Sequence, residues 1–194
     1  MCNLDYRNLY QELLPYVRSK VTEKRFKHIL GVVKEASRIA VANNLDELTI
    51  DQLRIAALLH DVAKDMVYDE VESFENEYKV SVSYKDIIAN RDTHGYIAAN
   101  IAYYKYKIED LNIINSIKFH TTGRPNMTLF EKIIFVADYT EENRNFPNLE
   151  QVRDLCLQNI DYAVFEILNF FINICKERNI NILDLELQTL NYYQ

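Results

Sequence analysis

Apolar residues recur every three or four positions along most of the chain, the period of a helix with one buried face. From about 5 to 17, Leu9, Leu13 and Leu14 mark a short amphipathic helix with Pro15 near its end. Thr22 opens a longer helix whose stripe is Phe26, Ile29, Val33, Ala36 and Ala40, with His28 at the edge of that stripe. A third helix is expected from Thr49-Ile50-Asp51 to Ala63; it is apolar on nearly every side and therefore central. The acidic stretch 66–86 lacks a clear period and reads as a mobile helix and loop passing over the centre. Asp92 or Thr93 caps a helix that begins at His94-Gly95, and another spans about 109–119, ending at His120 before Thr121-Thr122-Gly123-Arg124-Pro125. Thr128 caps a helix from Leu129 to about Glu142, and helices near 149–156, 160–178 and 183–193 complete an all-α chain read as one domain over 1–194.

Composition supports this and narrows the function. Only 3 Gly and 3 Pro occur, so few positions break a helix, and no phosphate-cradling or dinucleotide-binding loop can be assembled from Gly31, Gly95 and Gly123. With 48% hydrophobic and 26% charged residues the chain is globular rather than disordered. A net charge of -7 argues against nucleic acid as partner and leaves a small anionic ligand, held locally. Cys2, Cys156 and Cys175 are odd in number and lack ligand spacing, which fits a reducing cytoplasm. No apolar run approaches the roughly 20 residues of a membrane span, and nothing near Asp5 and Arg7 reads as a signal peptide, so a cytoplasmic protein with no membrane partner is expected. Oligomeric state is left open.

What a helical bundle does not absorb is His60-Asp61, set in the apolar run from Ile55 to Lys64. Burying either group without a partner costs several kcal/mol, and a divalent metal satisfies both. The other three histidines, His28, His94 and His120, each have a plainer explanation alone. His120 at a helix end would complement the macrodipole for about 0.3–1 kcal/mol, and His28 and His94 would be partly solvated. Asp138, embedded in the run Ile133 to Ala137, could pair with Lys132 or Arg144, and Asp61 with Lys64. None of these accounts for His60. Together, four imidazoles and two carboxylates exceed the needs of one tetrahedral zinc and suit two metals sharing Asp61. Two such ions about 3.5–4 Å apart stabilise the attacking and leaving oxygens of a phosphoryl displacement, so phosphoester or phosphoanhydride hydrolysis is expected.

The ordered set His28, His60-Asp61, His94, His120, Asp138 is embedded in Arg25-Phe26-Lys27-His28, Leu58-Leu59-His60-Asp61-Val62-Ala63-Lys64, Phe119-His120-Thr121-Thr122-Gly123 and Val136-Ala137-Asp138-Tyr139-Thr140-Glu141-Glu142-Asn143-Arg144. It resembles the HD-domain metal-dependent phosphohydrolases, and among them the bacterial YqeK-type family, whose members cleave diadenosine tetraphosphate symmetrically into two ADP. The resemblance covers about 19–193, leaving an N-terminal helix, residues 1–18, outside the match. It implies an HD-domain helical bundle and two divalent ions, iron first, with manganese, cobalt or zinc as alternatives. His28, His60, Asp61 and Asp138 would hold one ion, and Asp61, His94 and His120 the other. One departure is Glu142, where the family has proline, which bears on the local turn and the pose of Arg144.

On this reading a metal-bound hydroxide attacks the second phosphate of the nucleotide substrate, and Asp61 and Lys64 are the catalytic residues. Lys64, Thr121, Thr122, Gly123 and Arg144 would meet the phosphates, with Arg144 preferred over Arg124. Tyr139, Met127 and Phe146 would pack around a base or belong to the core. Competing expectations are an HD-domain phosphohydrolase acting on other nucleotides, and a noncatalytic nucleotide or metal sensor.

Overall fold

The computed structural model describes residues 4–80 and 92–194; the last part of the acidic stretch, 81–86, lies outside the described residues. Ten α-helices and no strand occur among the described residues, as the apolar periodicity predicts. They are α1 (Tyr6–Lys20), α2 (Glu23–Ala42), α3 (Glu47–Leu59), α4 (Tyr68–Tyr78), α5 (Thr93–Asn100), α6 (Leu111–Phe119), α7 (Leu129–Thr140), α8 (Leu149–Gln158), α9 (Ile160–Glu177) and α10 (Asp184–Tyr193). A wider turn of π type, Ile101–Lys105, extends α5.

Several starts follow from side-chain caps, which satisfy amides that the first turn leaves without partners. Asp5 accepts from the amides of Arg7 and Asn8, Thr22 from Arg25, Asp46 from Thr49 and Thr128 from Glu131. Pro15 does not end α1, which runs on to Lys20. Leu13 and Val17, both fully buried, hold that helix in place, and packing of this kind outweighs one lost backbone hydrogen bond.

The central helix is α3, which packs against α1, α2, α6 and α7. Its residues Leu53 and Ile55 to Leu59 are fully buried. It ends at Leu59, not at Ala63 as its apolar run suggests. From there the chain turns tightly, with the amides of Val62, Lys64 and Met66 bonded to the carbonyls of Leu59, Asp61 and Ala63. The turn begins as buried as the helix, through Ala63, and Val62 and Ala63 prolong its apolar run, while Lys64 and Asp65 are exposed. The His-Asp doublet therefore sits at a helix end, where side chains can converge with those of neighbouring elements. On the far side, α9 joins α7 to α8 and α10.

Candidate metal centre

Three histidines are locked from behind. At the end of α3, His60 Nδ1 donates to the carbonyl of Ala57 at 2.7 Å; at the end of α6, His120 Nδ1 donates to Ile117 at 2.8 Å. A carbonyl can only accept, so the proton is on Nδ1 and the Nε2 lone pair faces the centre. On α2, His28 Nδ1 lies 3.1 Å from Glu141 Oε1. His94, on the first turn of α5, brings Nε2 to 3.0 Å from His120 Nε2. Its closeness depends on Gly95: a β-carbon there would stand 2.8 Å from the Lys118 carbonyl and 3.0 Å from that of Ile117.

The carboxylates complete the arrangement. Asp61 Oδ1 lies 3.1 Å from His94 Nε2 and 3.5 Å from His120 Nε2, while Oδ2 lies 3.8 Å from His28 Nε2 and 3.7 Å from His60 Nε2. Its two oxygens thus face two different pairs of histidines. Asp138 Oδ1, from the last turn of α7, is 3.0 Å from His28 Nε2 and 4.0 Å from His60 Nε2. Ligand atoms of His28, His60 and Asp138 lie within 4.8 Å of one another, and so do those of His60, Asp61 and His120. His60 stands between both groups rather than on one side alone.

Protonation suits a cation. Burial pulls the His60 imidazole down to about 3 and that of His94 to about 4, so both are neutral near pH 7. Burial works to raise Asp61, but His60, His94 and His120 outweigh it and hold the carboxyl well below the usual range. Asp138 is likewise held low against burial, by His28 and Arg144. His60 Nε2 is fully buried without a hydrogen-bond partner. Two neutral inward imidazoles, ionised carboxylates and the unpartnered Nε2 atoms of His28 and His60 fit a divalent metal.

The centre opens into a cleft of about 820 Å³ lined by Lys64, Thr121, Arg144 and Arg25 among others. Lys64 has an exposed stem, but its ammonium is drawn in to 3.2 Å from both ring nitrogens of His94. Loss of water there lowers its pKa, with Asp61 opposing. Thr121 Oγ1 is 3.2 Å from His120 Nε2. Arg144 donates to the Asp138 carbonyl and to its Oδ1, at 2.8 and 2.5 Å, and the turn forms with Glu142 in place of proline. Two of the expected phosphate contacts point elsewhere: the Thr122 hydroxyl is buried and donates to the Gly123 carbonyl, and Gly123, at φ +60°, backs onto Thr189 and Met127. Arg124 is held by Glu131 in a two-bond fork, and Lys132 by Asp161. Met127 is core, whereas Tyr139 and Phe146 stack at 5.1 Å on the cleft wall.

Two residues escaped the sequence reading. Arg25 was visible only within a string, although it lies one turn before His28; its Nη1 is 2.7 Å from Asp61 Oδ2. Glu141, likewise visible only within a string, is 1% exposed and backs His28.

Residues 25–143 match the HD domain family model. The chain belongs to the HD-domain family. This HD-domain chain is 35% identical to the symmetrical bis(5'-nucleosyl)-tetraphosphatase of Halalkalibacterium halodurans, over 92% of its own length and 93% of the relative's. It is 33% identical to the protein of the same name in Bacillus subtilis, over 80% and 82%. A solved structure from Clostridium acetobutylicum, described as a predicted HD superfamily hydrolase involved in NAD metabolism, superposes with a TM-score of 0.83 at 31% identity, covering 95% of this chain and 96% of that one. The family resemblance drawn from the sequence is thereby borne out, down to the branch of HD-domain proteins that these tetraphosphatases form.

Proposed function

We propose that the protein hydrolyses dinucleoside tetraphosphates symmetrically, diadenosine tetraphosphate into two ADP, at a centre of two divalent ions, iron first among them. The observation that carries this reading is the division of Asp61, one oxygen toward His94 and His120 and the other toward His28 and His60. Asp61 would thus hold both ions, with Asp138 joining His28 and His60 on one side. The relatives named as symmetrical tetraphosphatases support the substrate class. When bound, the metal pair lowers the pKa of water and neutralises charge on the phosphoryl group under attack.

The chain's own residues do the rest. Lys64, Arg25 and Arg144 set three cations around one cleft, where they meet a polyphosphate of high negative charge and hold it in line for displacement. Thr121 offers a hydroxyl beside His120. The stacked Tyr139 and Phe146 give a nucleobase a flat apolar wall. No described helix is long and apolar enough to cross a membrane.

Protein purified without oxygen should carry about two transition-metal ions per chain and convert diadenosine tetraphosphate to ADP alone. In isotopically labelled water, label should enter one of the two ADP products. AMP and ATP as products would overturn the symmetrical register, and metal binding without turnover would favour the sensor.

A further inference from the structure

We infer that Glu141 is a positioning residue that fixes the tautomer of His28, and so decides whether the His28 side of the centre can hold an ion. The inference rests on the metal-centre reading above. His60 and His120 are locked by carbonyls three residues back on their own helices, but His28 lies mid-helix, where every backbone carbonyl nearby is already engaged. Its Nδ1 reaches instead to Glu141 Oε1, 113 positions along the chain.

Glu141 is set up as an acceptor at both ends. Oε1 faces His28 Nδ1, while Oε2 accepts from the backbone amide of Asn143 at 2.7 Å and from its Nδ2 at 2.8 Å. The carboxylate is 1% exposed, so these donors are not exchanged for water. Gly31, one turn after His28, keeps the space open: a β-carbon there would stand 2.2 Å from Oε2. A carboxylate has two accepting oxygens, whereas an amide has one oxygen and one NH₂. Glutamine at 141 therefore cannot serve both sets of donors. With its oxygen kept for Asn143, its NH₂ meets His28 Nδ1 and forces the proton onto Nε2, where the inward lone pair is lost.

The test compares Glu141→Gln, Gly31→Ala and the native protein. Nitrogen-15 spectra of the metal-free proteins read the His28 tautomer directly and need no activity. Asp138 Oδ1 lies 3.0 Å from His28 Nε2 and, with Glu141, favours a ring protonated on both nitrogens, so the spectra are read above that titration, where the neutral native ring should carry its proton on Nδ1 and E141Q should move it to Nε2. In a chelator competition, E141Q should weaken one of two ions about 10–100-fold and leave the other unchanged. G31A keeps the chemistry of both partners but displaces the carboxylate, and should weaken the same ion to a smaller degree. E141Q that keeps the Nδ1 proton and both ions at native affinity would overturn the inference. Should the native protein itself bind no metal, the proposed function fails, while the nitrogen spectra still decide the role of Glu141.

Discussion

On one side of Asp61, His28 and Asp138 are braced by charged side chains brought from elsewhere in the chain, Glu141 behind the imidazole and Arg144 behind the carboxylate. On the other side, His120 is braced by a carbonyl of its own helix, and His94 is placed by close approach of α5 to α6 across Gly95. His28 and Asp138 thus depend on charged side chains, and the other side on the backbone, which also braces His60 between them. Substitutions should therefore damage them by different routes: polarity changes should break the first, and added volume the second.

The largest effect should come from Asp61→Ala, which removes the carboxylate common to both sides. Both ions and all hydrolysis above background should disappear, as read by metal analysis and product chromatography; normal turnover would end the two-metal reading. Next comes Gly95→Ala, whose β-carbon meets backbone rather than a movable side chain. It should cost about 1–3 kcal/mol of stability in a denaturant melt and release the ion on the His94 side first. Retention of that ion with the His28 side emptied would reverse the comparison. Lys64→Ala tests the His94 side and Arg144→Ala the His28 side. Loss of one charge-assisted contact of about 1.5–3 kcal/mol predicts a fall in kcat/KM of about tenfold to a hundredfold for each, measured with metal saturating.

The smallest effect is on pH dependence. Burial holds His94 near 4, below its ordinary 6.5, so an unfolded chain takes up a proton that the folded one refuses. Stability of the metal-free protein should thus fall as pH drops below 6.5, and His94→Asn should flatten that slope. His28 is shifted the other way: burial lowers it, but Asp138 and Glu141 beside it raise it more. Its contribution is fully present below the unfolded value of 6.5 and lost as pH rises through the folded one, so His28→Asn should remove a loss of stability above pH 6.5 and leave the acid-side fall unchanged. Each change is bounded by one proton, about 1.4 kcal/mol per pH unit, and denaturant midpoints across pH 4–8 would measure it. Equal slopes in the two variants would mean that the two sides titrate alike.

Most helices, two of their caps and all six candidate ligands were legible in the sequence because each leaves a local mark: a 3.6-residue period, a threonine before it, or a polar residue in an apolar run. The end of α3 was not, since hydrophobicity reports burial, and the turn from His60 to Asp65 begins as buried as the helix before it. Its start was set late for a related reason: Asp46, the true cap, stands just after Leu45 and before the first periodic residue. Arg25 and Glu141 were missed because their partners lie 36 and 113 positions away, and no spacing rule spans such distances. Thr122 was over-read: a hydroxyl beside a candidate ligand looks available in a sequence, but the left-handed turn at Gly123 folds it inward.

The bonds from His60 to Ala57 and from His120 to Ile117 have a consequence for assembly and design. The last carbonyls of a helix lack amide partners, and a histidine at its end can claim one of them without help from the rest of the molecule. Such an imidazole is aimed by the helix that bears it, so its orientation is inherited from an element four residues long. The device occurs at the ends of both α3 and α6, two helices that pack together, and their docking brings the two aimed rings edge to face, 4.8 Å between centroids. A designer could transplant it as two short helix ends, adding the remaining donors afterwards.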